Sequence, residues 1–84
     1  MKTLRIEYKF DRAARVYITS RSEVRGLNIW DKRLEDLIER VALSAPYLIR
    51  MNHPELLHHG LVDLRIENEG GDKHIIRTIA LRLN

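Results

Sequence analysis

The spacing of apolar residues changes period twice along this chain, and that change constrains the fold more than any other feature. From Leu4 to Phe10 the apolar side chains fall on alternate positions, Leu4, Ile6, Tyr8 and Phe10, with Arg5, Glu7 and Lys9 between them. Period two is the mark of a half-buried strand. Between Leu34 and Ala45 the residues Leu34, Leu37, Ile38, Val41, Ala42 and Ala45 follow the i, i+3, i+4, i+7 spacing of an amphipathic helix. Alternation then returns, with Val62, Leu64 and Ile66 set against Asp63, Arg65 and Glu67.

The intervening residues complete the outline. Asp11-Arg12-Ala13-Ala14 breaks the first alternation and Arg15 to Thr19 resumes it, as the return arm of a hairpin does. This reading places Val16 and Ile18 on the core face and Tyr17 on the other. Leu27 to Trp30 reads as a short third strand after a turn at Gly26. Asp31 is the expected helix N-cap, with Glu35 and Asp36 placed where the helix dipole favours acids. Pro46 predicts a kink or a restart of the helix, which Pro54 and Gly60 then close. Asn68 to Asp72 has the chemistry of a hairpin loop, and Ile75 to Leu83 is rich in strand formers. The predicted order is β-β-(β)-α-β-β. One helix laid on an antiparallel sheet, a two-layer α+β sandwich, buries both apolar stripes.

At 84 residues the chain has room for a single domain, 1–84. Its 44% hydrophobic and 32% charged residues are those of a globular protein, not a disordered one. There is no cysteine, so neither a disulfide nor a thiolate metal site reinforces a small core, as suits a reducing compartment. The opening residues lack the apolar stretch of a signal peptide, and no apolar run has the length of a membrane span. We therefore expect a cytoplasmic chain without a membrane partner. The net charge of +3 comes from basic residues interleaved with acids.

The residues do not group into a reactive site. His53, His58, His59 and Asp63 lack the helical i, i+4 histidine spacing of a zinc site, and they read as a solvated helix-to-strand connection; His74 stands alone. Asp11, Glu23, Asp31 and Asp63 read as solvated loop carboxylates, Glu35 and Glu39 as an exposed helix face. No serine, histidine and acid triad is recognisable, so no enzyme, metal or cofactor is expected. Trp30 and Tyr47 read as core or interface packing. Arg5, Lys9, Arg15, Tyr17 and Arg65, with Arg77 beside them, fall outside the apolar set and are expected to share the open face of the sheet. Basic side chains around one aromatic suit single-stranded nucleic acid, which gives an alternative function of RNA binding.

From Met1 to about Asn52 the chain resembles the partner-binding domain of HicB-type antitoxins, especially short stand-alone HicB-like proteins. The likeness rests on Lys2-Thr3-Leu4-Arg5-Ile6, Val16-Tyr17-Ile18-Thr19-Ser20, Glu23-Val24-Arg25-Gly26-Leu27, Leu34-Glu35-Asp36-Leu37 and Pro46-Tyr47-Leu48-Ile49. It implies a truncated ribonuclease-H-like fold without catalytic carboxylates. It also implies a non-catalytic protein-interaction module that covers a small basic ribonuclease toxin.

Arg25 stands where the family usually has proline, and Arg33 where it has a small hydroxyl residue. Residues 61–83 read as a hairpin, too short and strand-like for a helix-turn-helix. The chain is basic, whereas neutralising antitoxins tend to be acidic. A hydrophobic last strand carrying Ile75, Ile79 and Leu81 would leave an edge open to a second copy, so a homo-oligomer is expected, through that edge or the helix.

Overall fold

Strand β1 (Lys2–Asp11) takes the centre of a five-stranded sheet. The computed structural model describes residues 2–70 and 77–83. Around β1 stand β2 (Val16–Ser22), β3 (Trp30–Asp31), β4 (Leu61–Asn68) and β5 (Arg77–Arg82), in the order β3-β2-β1-β4-β5. Helix α1 (Leu34–Asn52) packs on one face, and a 3-10 turn, Pro54–His59, leads from it to β4. The α+β class and single main helix follow the sequence expectation. No helix among the described residues is long and apolar enough to cross a membrane.

The sheet is mixed, which corrects the antiparallel expectation. Strand β4 lies parallel to β1, with Lys2 opposite Val62 and Tyr8 opposite Asn68. The cause is topological. Three successive antiparallel strands end with the chain running in the direction of β1, and α1 carries it back, so the next strand runs the same way as β1. Of the three strands that precede the helix only β2 runs the opposite way, and it already has β1 and β3 on its two sides, so β4 takes the free edge of β1, and the helix serves as the crossover a parallel pair requires.

Asp11 builds the first hairpin. One carboxylate oxygen accepts the N–H groups of Ala13 (3.0 Å) and Ala14 (3.2 Å), a local turn that aspartate side chains favour. Further along, Glu7 faces Arg21 while Tyr8 faces Thr19, so Ser20 is an extra residue in β2. This bulge bends the strand and returns Arg21 to the face occupied by Glu7.

The core lies between the sheet and α1. Leu4, Ile6 and Tyr8 of β1, Val62, Leu64 and Ile66 of β4, and Leu37, Val41, Ala45 and Ile49 of α1 are all buried. The helix begins at Leu34 with Arg33 at the N-cap position and no side-chain cap. Asp31, the expected cap, instead ends β3; it accepts the Arg33 N–H (3.4 Å) and faces Arg40 (3.6 Å). Pro46 lies inside one unbroken helix, so of the two expected alternatives, a kink or a restart, the restart does not occur. Packing of the Val41, Ala45 and Ile49 stripe outweighs the N–H that proline lacks.

The expected third strand is shorter than Leu27 to Trp30 and starts later. Leu27 and Ile29 instead reach the core from an irregular segment, together with Val24. The end of α1 fastens this segment: the buried His53 accepts the Arg25 N–H at Nε2 (3.0 Å), and Asn52 Nδ2 donates to the Arg25 carbonyl (2.8 Å). Gly26 follows with φ 87°, and a Cβ there would meet Asn52 Nδ2 at 3.2 Å.

Candidate functional site: the open face of the sheet

Odd-numbered residues of β1 and β4 point away from the helix, so Arg5 and Arg65, partners in the parallel register, lie side by side on the open face. Glu67 holds them both. It accepts Arg5 Nε at 3.0 Å and Nη2 at 2.5 Å, and its second oxygen lies 3.6 Å from Arg65 Nε. The hydrogen bond from Arg5 holds the Glu67 carboxyl below the usual carboxylate range, the charges of Arg5 and Arg65 adding to it. The same hydrogen bond and charge raise Arg5. Arg21 faces Glu7 across the ladder, and Asp63 faces Thr3. The centre of the open face therefore balances Arg5, Arg21 and Arg65 against Glu7, Asp63 and Glu67.

Lys9 lies on this face, opposite Ile18, and Arg15 belongs to the turn before β2, with φ 58°. Tyr17 does not join them. Its ring sits edge-on to Tyr8 and Phe10, with centroids 6.2 and 5.0 Å away, and it packs against the core. The expected sides of β2 are thus exchanged: Tyr17 faces the helix, and Val16 and Ile18 face outward. Arg77 also leaves the expected face; it crosses to the helix and contacts both carboxylate oxygens of Glu35, at 2.6 and 3.3 Å, a hydrogen bond and charge that raise it.

The aromatic residue of the open face is Trp30. It pairs with Ile18 across β2 and β3 and is 57% exposed. Val16, Ile18, Ala14 and Trp30 line a largely apolar hollow of about 470 Å³, with Asp11 and Lys32 at its rim. Arg40 donates to the Trp30 carbonyl at 2.6 Å, which fixes the short strand to the helix.

A second apolar surface runs along the outside of α1. Leu43, Tyr47 and Met51 are 73%, 61% and 58% exposed. Their spacing of four aligns them on one side of the helix, beside a groove lined by Gly26, Asn28, Ile29 and Leu48.

Among the described residues, no group of three or more histidine, cysteine or acidic side chains is placed to hold a metal. His53 is committed to Arg25, while His58 and His59 stack on each other with centroids 4.2 Å apart. His74 and Ile75 lie outside the described residues. Strand β5 is an edge of the sheet, and its Leu81 is buried and Ile79 half-buried against the core. What β5 presents outward along the edge is therefore backbone.

Trp30, read from the sequence as core or interface packing, is not in the core; the alternation of Leu27 and Ile29 with Asn28 and Trp30 is the signal that places it outward. Tyr17 has no such signal, because Val16, Tyr17 and Ile18 are all apolar and nothing local says which side meets the helix. Compared with known proteins, the chain matches no family model, no curated protein and no solved structure.

Proposed function

We propose that this protein is a non-catalytic interaction module whose partner is another protein, and that it also pairs with a second copy of itself. The observation that carries this reading is the outward stripe of Leu43, Tyr47 and Met51 on α1. Contiguous exposed apolar side chains keep unfavourable contact with water, and such patches mark surfaces that partners cover. The resemblance of residues 1–52 to HicB-type domains supports the narrower reading, neutralisation of a small ribonuclease toxin in the cytoplasm. The net charge of +3 weighs against a basic toxin and favours a partner that offers acidic groups at the contact.

A second reading, single-stranded RNA binding, draws on Trp30, which stands exposed on the open face with Lys9 and Lys32 nearby. One experiment separates the two. Tagged protein is captured from its own cell lysate with and without nuclease, and bound protein and nucleic acid are both analysed. A stoichiometric protein that survives nuclease supports the module. Recovery of RNA alone, lost with salt, moves the function to the open face.

A further inference from the structure

The open face has two electrically different regions. At its centre, Arg5, Arg21 and Arg65 are matched by Glu7, Asp63 and Glu67. Around the Trp30 hollow the balance is lost. Lys9 adjoins Ile18, Lys32 lines the rim, and exposed Arg12 and Arg15 occupy the bordering turn. The acid at this rim, Asp11, has a carboxylate oxygen occupied by the turn N–H groups of Ala13 and Ala14. An apolar floor thus lies among four basic residues, Lys9, Arg12, Arg15 and Lys32, with Asp11 as the acid beside them.

We propose that the hollow floored by Val16, Ile18 and Trp30 seats an acidic segment of the protein partner that carries one large apolar side chain. This rests on the interaction-module reading and names the chemistry its partner presents. The apolar side chain covers Trp30 and fills the hollow, as central aromatic anchors do in interfaces. Flanking carboxylates meet Lys9 and Lys32, which set orientation and speed encounter. A nucleic-acid strand fits the same face less well, because its phosphates need a continuous cationic track. Here the path away from Trp30 enters the region where Glu7, Asp63 and Glu67 cancel the arginines.

Random peptides displayed on phage are selected against the full chain. Selected sequences are then synthesised with a fluorescent label, for anisotropy, and without one. Trp30 is the only tryptophan, so its emission reports on the hollow directly. The expected selection is for peptides in which Asp and Glu flank one Leu, Phe or Trp. Peptides free of tryptophan shift Trp30 emission to the blue, binding weakens with salt, and Trp30→Ala or the pair Lys9→Glu, Lys32→Glu weakens it roughly tenfold or more.

Selection of neutral or basic peptides, no selection at all, or binding indifferent to both variants overturns the proposal. So does quenching of Trp30 by oligouridine in the absence of any response to peptide. If the lysate capture retains a nuclease-resistant protein equally well on the wild-type and Trp30→Ala chains, this seat is wrong while the module reading stands. If only RNA is recovered, both fall.

Discussion

His53 Nε2 accepts the backbone N–H of Arg25 at 3.0 Å, so the end of the helix holds the segment that links the second and third strands. The side chain is only 6% exposed, and removing it leaves that N–H without its acceptor. Losing a hydrogen-bond partner in a shielded place costs about 1–3 kcal/mol. His53→Ala should lower unfolding stability by about that amount in urea titrations. In hydrogen exchange, the amides of residues 24–29 should lose protection before those of the central strands.

Gly26 and Gly70 offer a paired test of backbone against packing. Both have positive φ, 87° and 94°, but a Cβ on Gly26 meets Asn52 Nδ2 at 3.2 Å whereas one on Gly70 meets nothing within 4 Å among the described residues. Gly70→Ala should cost roughly 1 kcal/mol for the left-handed backbone alone, and Gly26→Ala clearly more, as read from denaturant midpoints.

Much of this fold was legible in the residues. The alternation of Leu4, Ile6 and Tyr8 and the helical spacing of Leu37, Val41 and Ala45 name side chains that are buried. What stayed hidden depends on which elements become neighbours. That the fourth strand pairs with the first, and so in parallel, follows from β2 having both sides occupied, a fact of assembly. The side taken by Tyr17 depends on its contact with Tyr8 and Phe10, residues on another strand. Alternation does put Glu67 on the side of its strand that carries Arg65, but its hydrogen bond to Arg5 follows from the parallel pairing of two distant strands, which no local pattern gives.

The Glu67 carboxyl sits below its ordinary range because Arg5 donates hydrogen bonds to it. A carboxyl depressed in the folded state contributes stability above its unfolded value, near pH 4.3 for a glutamate, and loses it as pH falls through the folded value. The stability difference between wild type and Glu67→Gln should therefore be largest near neutrality and shrink on acidification below about pH 4. Urea midpoints of both proteins across pH check this. Raised salt should also narrow the gap, since the pair lies at the surface.

Tyr47→Glu tests the helix stripe. At 61% exposure the substitution should change monomer stability by no more than about 0.5 kcal/mol. Sedimentation equilibrium should show association in the wild type and none in the variant. A monomeric wild type would remove self-association through this surface, and association undiminished in the variant would move it elsewhere, to the β5 edge.

The parallel ladder at the centre of the sheet has a consequence for how the chain reaches its native state. Lys2 lies opposite Val62 and Tyr8 opposite Asn68, so the middle of the sheet closes only when segments about 60 residues apart meet. Until then one side of the first strand has no neighbour, and its buried face lacks Val62, Leu64 and Ile66. During synthesis the hairpin and helix can form locally, but the core waits for the fourth strand to emerge. Maturation should therefore be slow for so small a protein, and a product stopped before the fourth strand would expose an unpaired, apolar strand to aggregation.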